Sequence, residues 1–389
     1  MRPDLTSREL VKHLAVKHSQ TRNVVGLLES MQEPMKPKEL AQEHAVERRE
    51  VPEITDPLEP WGVERTNDAH RQITTAGEAA RQAFATALET IDADKLAWLA
   101  RSENREDILD HLQEEGPDSA QEMSEIDGCP DKRTIDRALE EFDERGWANC
   151  EEQQRSRTLI AHLTMDGERA GRVYDDLIAK MTQVIDKAPC LRDLYLGCAD
   201  IPLETLGNAE IVEATPENPF RIEKRLRELS SRDFQHFRGF QSHWNGENAK
   251  AYIEAVRDGK EFEVVSRPVG LGEFPTNPDE VKCVIDGLRA ENYHWLMHTD
   301  GLPCSLAIFD RQMVVVGPRD PGTTNNIRTG ALFSQDDDLI DWAVNLYESH
   351  RQQAENPFDI SIGVSIGIND LVELLHSRYL NDDESSQNT

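Results

Sequence analysis

Lys132, Arg133, Thr134 and Arg137 set three bases and a hydroxyl in the first turns of one amphipathic stretch. Groups of these types hydrogen-bond phosphate oxygens and the O6/N7 edge of guanine. Asp131, just before them, suits a helix N-cap. Ile135, Leu139 and Phe142 follow at the spacing of one buried helical face. Four acids, Glu140, Glu141, Asp143 and Glu144, occupy the far end. A polar hairpin over 149–157 then carries Gln153, Gln154, Arg155 and Arg157. Taken singly, these are ordinary solvated charges. Together they form a basic helix start with a basic hairpin beside it, which suits a major groove and its flanking backbone.

Other chemistry is sparse. Arg267, His298, Asp300, Arg311 and Arg319 fall near predicted strand ends, where ligands gather in open α/β sheets. They are the candidate effector-binding residues. His294 and His298, with Asp300, are the nearest approach to a metal set, but such histidines more often pack or face solvent, and no metal or cofactor is assigned. Gly270-Leu271-Gly272 lacks the strand–helix context of a dinucleotide loop and reads as a turn. Gly363-Val364-Ser365-Ile366-Gly367 has the GxSxG spelling. However, Ser365 sits inside a β-like run rather than on a strand-to-helix turn, and Asp370 and His376 follow too closely for a hydrolase triad. No Walker, HExxH or phospholipase-like HxK sequence occurs, and an enzyme is not expected.

The elements that must position these groups come in two kinds. The N-terminal half reads as helices with short turns. Thr6 or Ser7 caps the first, and Pro37 opens a later one. Residues 47–60 form a third helix burdened by Pro52 and Pro57, in which Arg48 and Arg49 could touch phosphates. The same order recurs. Ser102 suits a cap, Ser119 to Glu122 a capping box, and Asp131 opens the basic helix. An offset of 84 residues aligns Gly62 with Gly146, Leu58 with Phe142 and Val51 with Ile135. Ile73-Thr74-x-x-Gly77 answers Leu163-Thr164-x-x-Gly167. Three helices and a hairpin, twice over, describe two winged helix-turn-helix domains. From about residue 205 short strands alternate with helices, which means an α/β domain with a central sheet.

The chain has 389 residues, long enough for several cores. It holds no apolar run long enough for a transmembrane helix and starts without an apolar signal region. Its six cysteines form no CxxC, which fits a reducing, cytoplasmic interior. The net charge is −31, with Lys plus Arg 43 against Asp plus Glu 74. Arginine outnumbers lysine 31 to 12, a balance that suits a halophilic surface. In molar salt the Debye length shrinks to about 3 Å, so acidity no longer forbids a DNA partner. Residues 1–88 are nearly neutral at −2, against −13 for 89–188 and −16 for 189–389.

Residues 96–147, LAWLARSENREDILDHLQEEGPDSAQEMSEIDGCPDKRTIDRALEEFDERGW, closely resemble the winged helix of a large group of haloarchaeal transcriptional regulators. Residues 201–220 (IPLETLGNAEIVEATPENPF), 301–320 (GLPCSLAIFDRQMVVVGPRD) and 337–354 (DDLIDWAVNLYESHRQQA) resemble their sensor domain, named for the methanogenesis (filament-growth) regulator of methanogens. The resemblance spans 91–357 and implies DNA-binding transcriptional control with a signal-receiving C-terminal domain. The chain departs from it in its extra segment before residue 90, its extension after Pro357, and Asp136 in the basic helix.

The expectation is therefore an α+β, multidomain protein with two winged helix-turn-helix domains, 1–88 and 89–188. An α/β sensor domain follows over 201–357, then an extension at 358–380 and a disordered tail at 381–389. The partners expected are double-stranded DNA, a small-molecule effector and a second copy in a homodimer, with no membrane. The alternative is a winged-helix adaptor that binds a basic protein and no specific DNA.

Overall fold

A computed structural model describes residues 5–59, 61–66, 68–153, 158–215, 217–218, 220–230, 233–241, 246–267, 277–318 and 330–355. The fold is α+β and multidomain, in two compact units, Met1–Ala188 and Pro189–Thr389. Among the described residues no helix is long and apolar enough to cross a membrane.

The first unit builds one plan twice. The first copy runs α1 (Ser7–Thr21), α2 (Val24–Ser30), α3 (Pro37–Glu43) and α4 (Glu50–Thr55), which tightens into a short 3-10 helix at Asp56–Leu58. A hairpin of β1 (Val63–Arg65) and β2 (Arg71–Ile73) follows, then α5 (Thr75–Leu88). The second copy runs α6 (Ala93–Leu99), α7 (Glu103–Glu114), β3 (Asp118–Ser119), α8 (Ala120–Met123), α9 (Lys132–Glu144), β4 (Ala148–Gln153), β5 (Thr158–Leu163) and α10 (Met165–Leu191). β3 adds a third strand to its hairpin through β5. In the first copy a single bridge, Met35 to Arg71, takes that place.

Caps set the helix starts. Thr6 with Glu9 and Ser119 with Glu122 form reciprocal capping boxes, and the Asp131 side chain accepts the Thr134 N–H. Ser102 stands at the start of α7 but makes no side-chain cap bond, so that expected cap is not formed.

The two copies share a hydrogen-bond frame after their hairpins. The Thr74 hydroxyl donates to the Trp61 carbonyl at 2.6 Å and accepts from Gly77 N–H at 3.1 Å. The Thr164 hydroxyl donates to Gly146 at 2.7 Å and accepts from Gly167 N–H at 3.0 Å. Thr74 N–H reaches the Gly62 carbonyl as Thr164 N–H reaches that of Trp147. These bonds pair Gly62 with Trp147, one residue on from the offset of 84 that aligns the two glycines in sequence. The third helix of the first copy is also shorter than the expected 47–60. Pro52 is its third residue, in the first turn, where backbone N–H groups have no intrahelical partner. The interior-proline penalty is thus avoided by shortening the helix.

The second unit contains β6 (Glu210–Glu213), α11 (Arg221–Ser230), β7 (His236–Gln241), α12 (Gly246–Arg257), β8 (Glu261–Ser266), α13 (Pro278–Arg289), β9 (Tyr293–Met297), β10 (Ser305–Phe309), β11 (Met313–Gly317), β12 (Gly330–Ser334) and α14 (Asp337–Arg351). The seven strands lie in the order β6-β12-β11-β10-β7-β8-β9. β7, β8 and β9 are parallel; the remaining pairs are antiparallel. On one face Phe237, Phe262, Ala307, Phe309 and Val315 pack with Ile222 and Leu226 of α11 and Ala255 and Val256 of α12. On the other, Tyr347 of α14 stacks on Phe240 with ring centres 5.6 Å apart. β12 has no counterpart among the strands read from sequence. It is fully buried but only five residues long, with neither alternation nor a β-branched residue. The expected extension and tail, the GxSxG run and Gly270 to Gly272 lie outside the described residues.

Candidate functional site

α9 is built to hold a basic end in place. Ile135, Ala138, Leu139 and Phe142 are buried, and Phe142 packs in a ring cluster with Trp98 and Trp147. That face fixes the helix, so Lys132, Arg133, Asp136 and Arg137 stand on its outer side. Arg133 is exposed. Among the described residues, neither Lys132 nor Arg133 enters a salt bridge. Thr134 also supports the start of its own helix. Its hydroxyl and its N–H both bond the Asp131 carboxylate, at 3.0 and 3.1 Å, so its hydroxyl supports the cap. Those bonds hold the Asp131 carboxyl below its usual range.

Arg137 is 79% exposed and pairs with Glu141 one turn on, Nε to Oε1 at 3.1 Å. Glu141 also accepts from Trp98 Nε1 at 3.0 Å and from Arg105 at 2.8 Å. Burial opposes its ionisation, but the Trp98 bond and the Arg105 charge outweigh that and hold its carboxyl low. Arg105 and Arg145 lie over the Trp98 ring at 4.4 and 3.9 Å. This cation–π group was not legible beforehand, since its members are dispersed along the chain. It pairs Glu141, one of the four acids at that end of α9, and involves neither Lys132 nor Arg133. Arg155 and Arg157 lie outside the described residues.

The first copy disposes its charges differently. Arg71 is 5% exposed and bonds Asp56 at 2.7 Å and also Glu59. Arg65 pairs with Glu59 at 2.8 Å, and Arg49 with Glu47 at 2.7 Å. The hairpin cations are therefore bound by Asp56 of the 3-10 turn and by Glu59 just after it, while Arg48 is exposed and in no salt bridge among the described residues.

In the second unit the strand registers line up one end of the sheet, with Ser305, Gln241 and Ser266 as its polar members. Gly317 faces Ser305, Gln241 faces Ser266, and Ser266 faces Met297, with Phe240 opposite Leu306 setting the junction. This is the carboxyl end of parallel strands β7, β8 and β9. Two of the five candidate residues meet here: the His298 N–H donates to the Ser266 carbonyl at 2.8 Å, and Arg267 follows Ser266. Asp300 is exposed two residues beyond His298. Arg311 is elsewhere. It sits in the β10–β11 turn, at the opposite end of those strands, and pairs with Asp341. Sequence placed it at a strand end but could not say which end. Arg319 lies outside the described residues. His294 is 57% exposed and near Glu261, apart from His298. Among the described residues no three His, Cys, Asp or Glu side chains are placed to hold a metal.

Residues 219–353 match the sequence family described as the middle domain of the methanogenesis regulatory protein FilR1. The match covers most of the seven-stranded unit. Curated proteins offer no match. Among solved structures, the chain is similar to NucT from Helicobacter pylori, with 14% identity over 38% of this chain and 98% of that one, at a TM-score of 0.31. It is similar to TrmBL2, an archaeal chromatin protein, with 14% identity over 64% and 99%, at a TM-score of 0.30. It is also similar to polyphosphate kinase from Porphyromonas gingivalis, with 11% identity over 72% and 67%, at a TM-score of 0.31. Likenesses this distant say nothing of function.

Proposed function

We propose that the chain is a DNA-binding transcriptional regulator, cytoplasmic and not an enzyme, whose C-terminal unit receives a signal. One observation carries the DNA reading: the basic start of α9 is unpaired at Lys132 and Arg133, while Trp98, Arg105 and Arg137 all bond Glu141 at its other end. A winged helix docks by its N-terminal turns, so the free cations are at the end that enters the groove. The match of residues 219–353 to a regulatory protein's middle domain supports the signalling half. Lys132, Arg133 and Arg137 would contact DNA, with Arg155 and Arg157 of the hairpin on the adjacent backbone. Two copies in a dimer would place two such helices about 34 Å apart on a symmetric site. A small effector would sit at the sheet end marked by Arg267 and His298, with Asp300 at its rim, and would favour one of two DNA-binding states.

The net charge of −13 over residues 89–188 favours a second reading, an adaptor for a basic protein. Genome-wide occupancy of the tagged protein at native salt separates the two. Discrete peaks sharing an inverted repeat are expected. A folded, abundant protein with no peaks would remove the DNA reading and leave the adaptor.

A further inference from the structure

Among the described residues of the second unit, His298 is a buried side chain with two unsatisfied polar atoms. It is 5% exposed, and neither ring nitrogen has a hydrogen-bond partner. A buried imidazole left like this is costly unless something absent from the polypeptide satisfies it. Its ring centre lies 5.1 Å from that of His350, 52 residues further along the chain on α14. His350 is already oriented. Its Nδ1 lies 2.9 Å from the Leu346 carbonyl, which can only accept, so in the neutral ring Nδ1 carries the proton and Nε2 has the lone pair a metal needs. An Nδ1–H bonded to a backbone carbonyl is the usual anchor of a metal-binding histidine.

The ring separation fits one shared ion. With metal–nitrogen bonds of about 2.0–2.1 Å at tetrahedral angles, two imidazoles carry ring centres about 5 Å apart. We propose that His298 and His350 form a two-imidazole site for a divalent transition-metal ion of the zinc or nickel class, and that this ion acts on the C-terminal unit as a signal. Imidazole pairs select such ions over magnesium, which prefers oxygen ligands. Among the described residues no third His, Cys, Asp or Glu joins the pair, so water or a small anion completes the shell. His350 is only half-buried and gives the ion its way in. As a signal the ion depends on the regulator reading above; as a site it does not.

The test titrates metal-free full-length protein with zinc chloride by calorimetry. High KCl and excess magnesium keep the many surface carboxylates occupied. One zinc per chain is expected. His298→Gln and His350→Gln should each weaken uptake by about tenfold or more, and the exposed His294→Gln should leave it unchanged. No uptake, or uptake indifferent to both variants, overturns the site. Thermal unfolding without metal checks each variant; should His298→Gln fail to fold, His350→Gln decides alone. DNA affinity with and without zinc then tests the signal. Zinc that binds but leaves DNA affinity unchanged overturns the signal and spares the site. Absence of DNA binding under both conditions defeats the regulator reading instead.

Discussion

The two copies in the first unit share a frame but dispose their charges in opposite ways. In each, a threonine after the hairpin ties the hairpin's return to the start of the next helix, and a glycine three residues on lies against a backbone carbonyl. On that frame the first copy sets a six-residue α4 and three-residue strands, and binds Arg65 and Arg71 to its own Asp56 and Glu59. The second sets a thirteen-residue α9 and six-residue strands, with cations unpaired at the helix start. A shared frame therefore does not fix how each copy disposes its charges. What differs is which cations find carboxylates: Arg65 and Arg71 of the first hairpin do, whereas among the described residues Lys132 and Arg133 of α9 stand outside any salt bridge, as does the exposed Arg48 of the first copy.

The shared frame is the place for the largest effect. A Cβ on Gly77 would meet the Gly62 carbonyl oxygen at 1.9 Å, and one on Gly167 the Trp147 oxygen at 2.0 Å. Both contacts are with backbone, which cannot step aside cheaply. Gly77→Ala and Gly167→Ala should each cost about 3 kcal/mol or more in denaturant unfolding. A large loss in one copy and none in the other would break the claim of a common frame.

The charge difference is sharpened by two substitutions. Arg71→Ala leaves Asp56 and Glu59 without their buried cation. Both carboxylates keep some access to water, at 49% and 21% exposure, so the expected loss of stability is about 2 kcal/mol, below that of a fully buried pair. Its effect on DNA affinity should be slight. Arg133→Ala should do the reverse, with stability nearly unchanged and DNA affinity weaker by about 1–3 kcal/mol if the side chain reads a base. Fluorescence anisotropy on an operator fragment reads the second, and urea unfolding the first. Unchanged affinity in Arg133→Ala would move the contact to the first copy or to the hairpin.

Much of this frame was legible in the sequence because its signals are local. Asp131 with Thr134, Ser119 with Glu122, and the spacing of Ile135, Leu139 and Phe142 each lie within a few residues. The Thr-x-x-Gly echo was visible for the same reason, although the hydrogen bonds shift the alignment beside it by one residue. The parts that escaped depend on distant partners. Arg71 looks like a free hairpin cation until Asp56 and Glu59 fold beside it. The Thr134 hydroxyl has a second task, bonding the Asp131 cap, that the groove reading did not include. Sequence spacing sets His298 beside His294 alone; packing of α14 brings His350 to it.

The smallest expected effect concerns buried acids, and again the copies differ. In the first copy Glu78 is buried but bonded by Arg81 through two nitrogens, at 2.8 and 2.7 Å. In the second, burial raises the Asp110 carboxyl of α7 to about 6, and the charge of Asp175 on α10 adds to the rise. Asp175 is raised too, by burial first. Tyr174 bonds Glu106 at 2.7 Å and Arg8 pairs with it at 3.1 Å, but that cation only partly offsets the rise at Asp110. The unfolded chain releases the Asp110 proton near 3.8, and the folded chain holds it until about 6. Between those values the folded state binds more protons, so stability falls as pH rises through the window. Discounted for a half-exposed group, the loss is about 1 kcal/mol. Asp110→Asn should flatten the slope and leave the protein more stable at neutral pH. Hydrogen exchange at α7 and α10, compared with α2 and α5 from pH 4 to 7, measures this directly. Equal softening of both helix pairs would place the sensitivity in the charge of the whole chain and not in the Asp110–Asp175 pair.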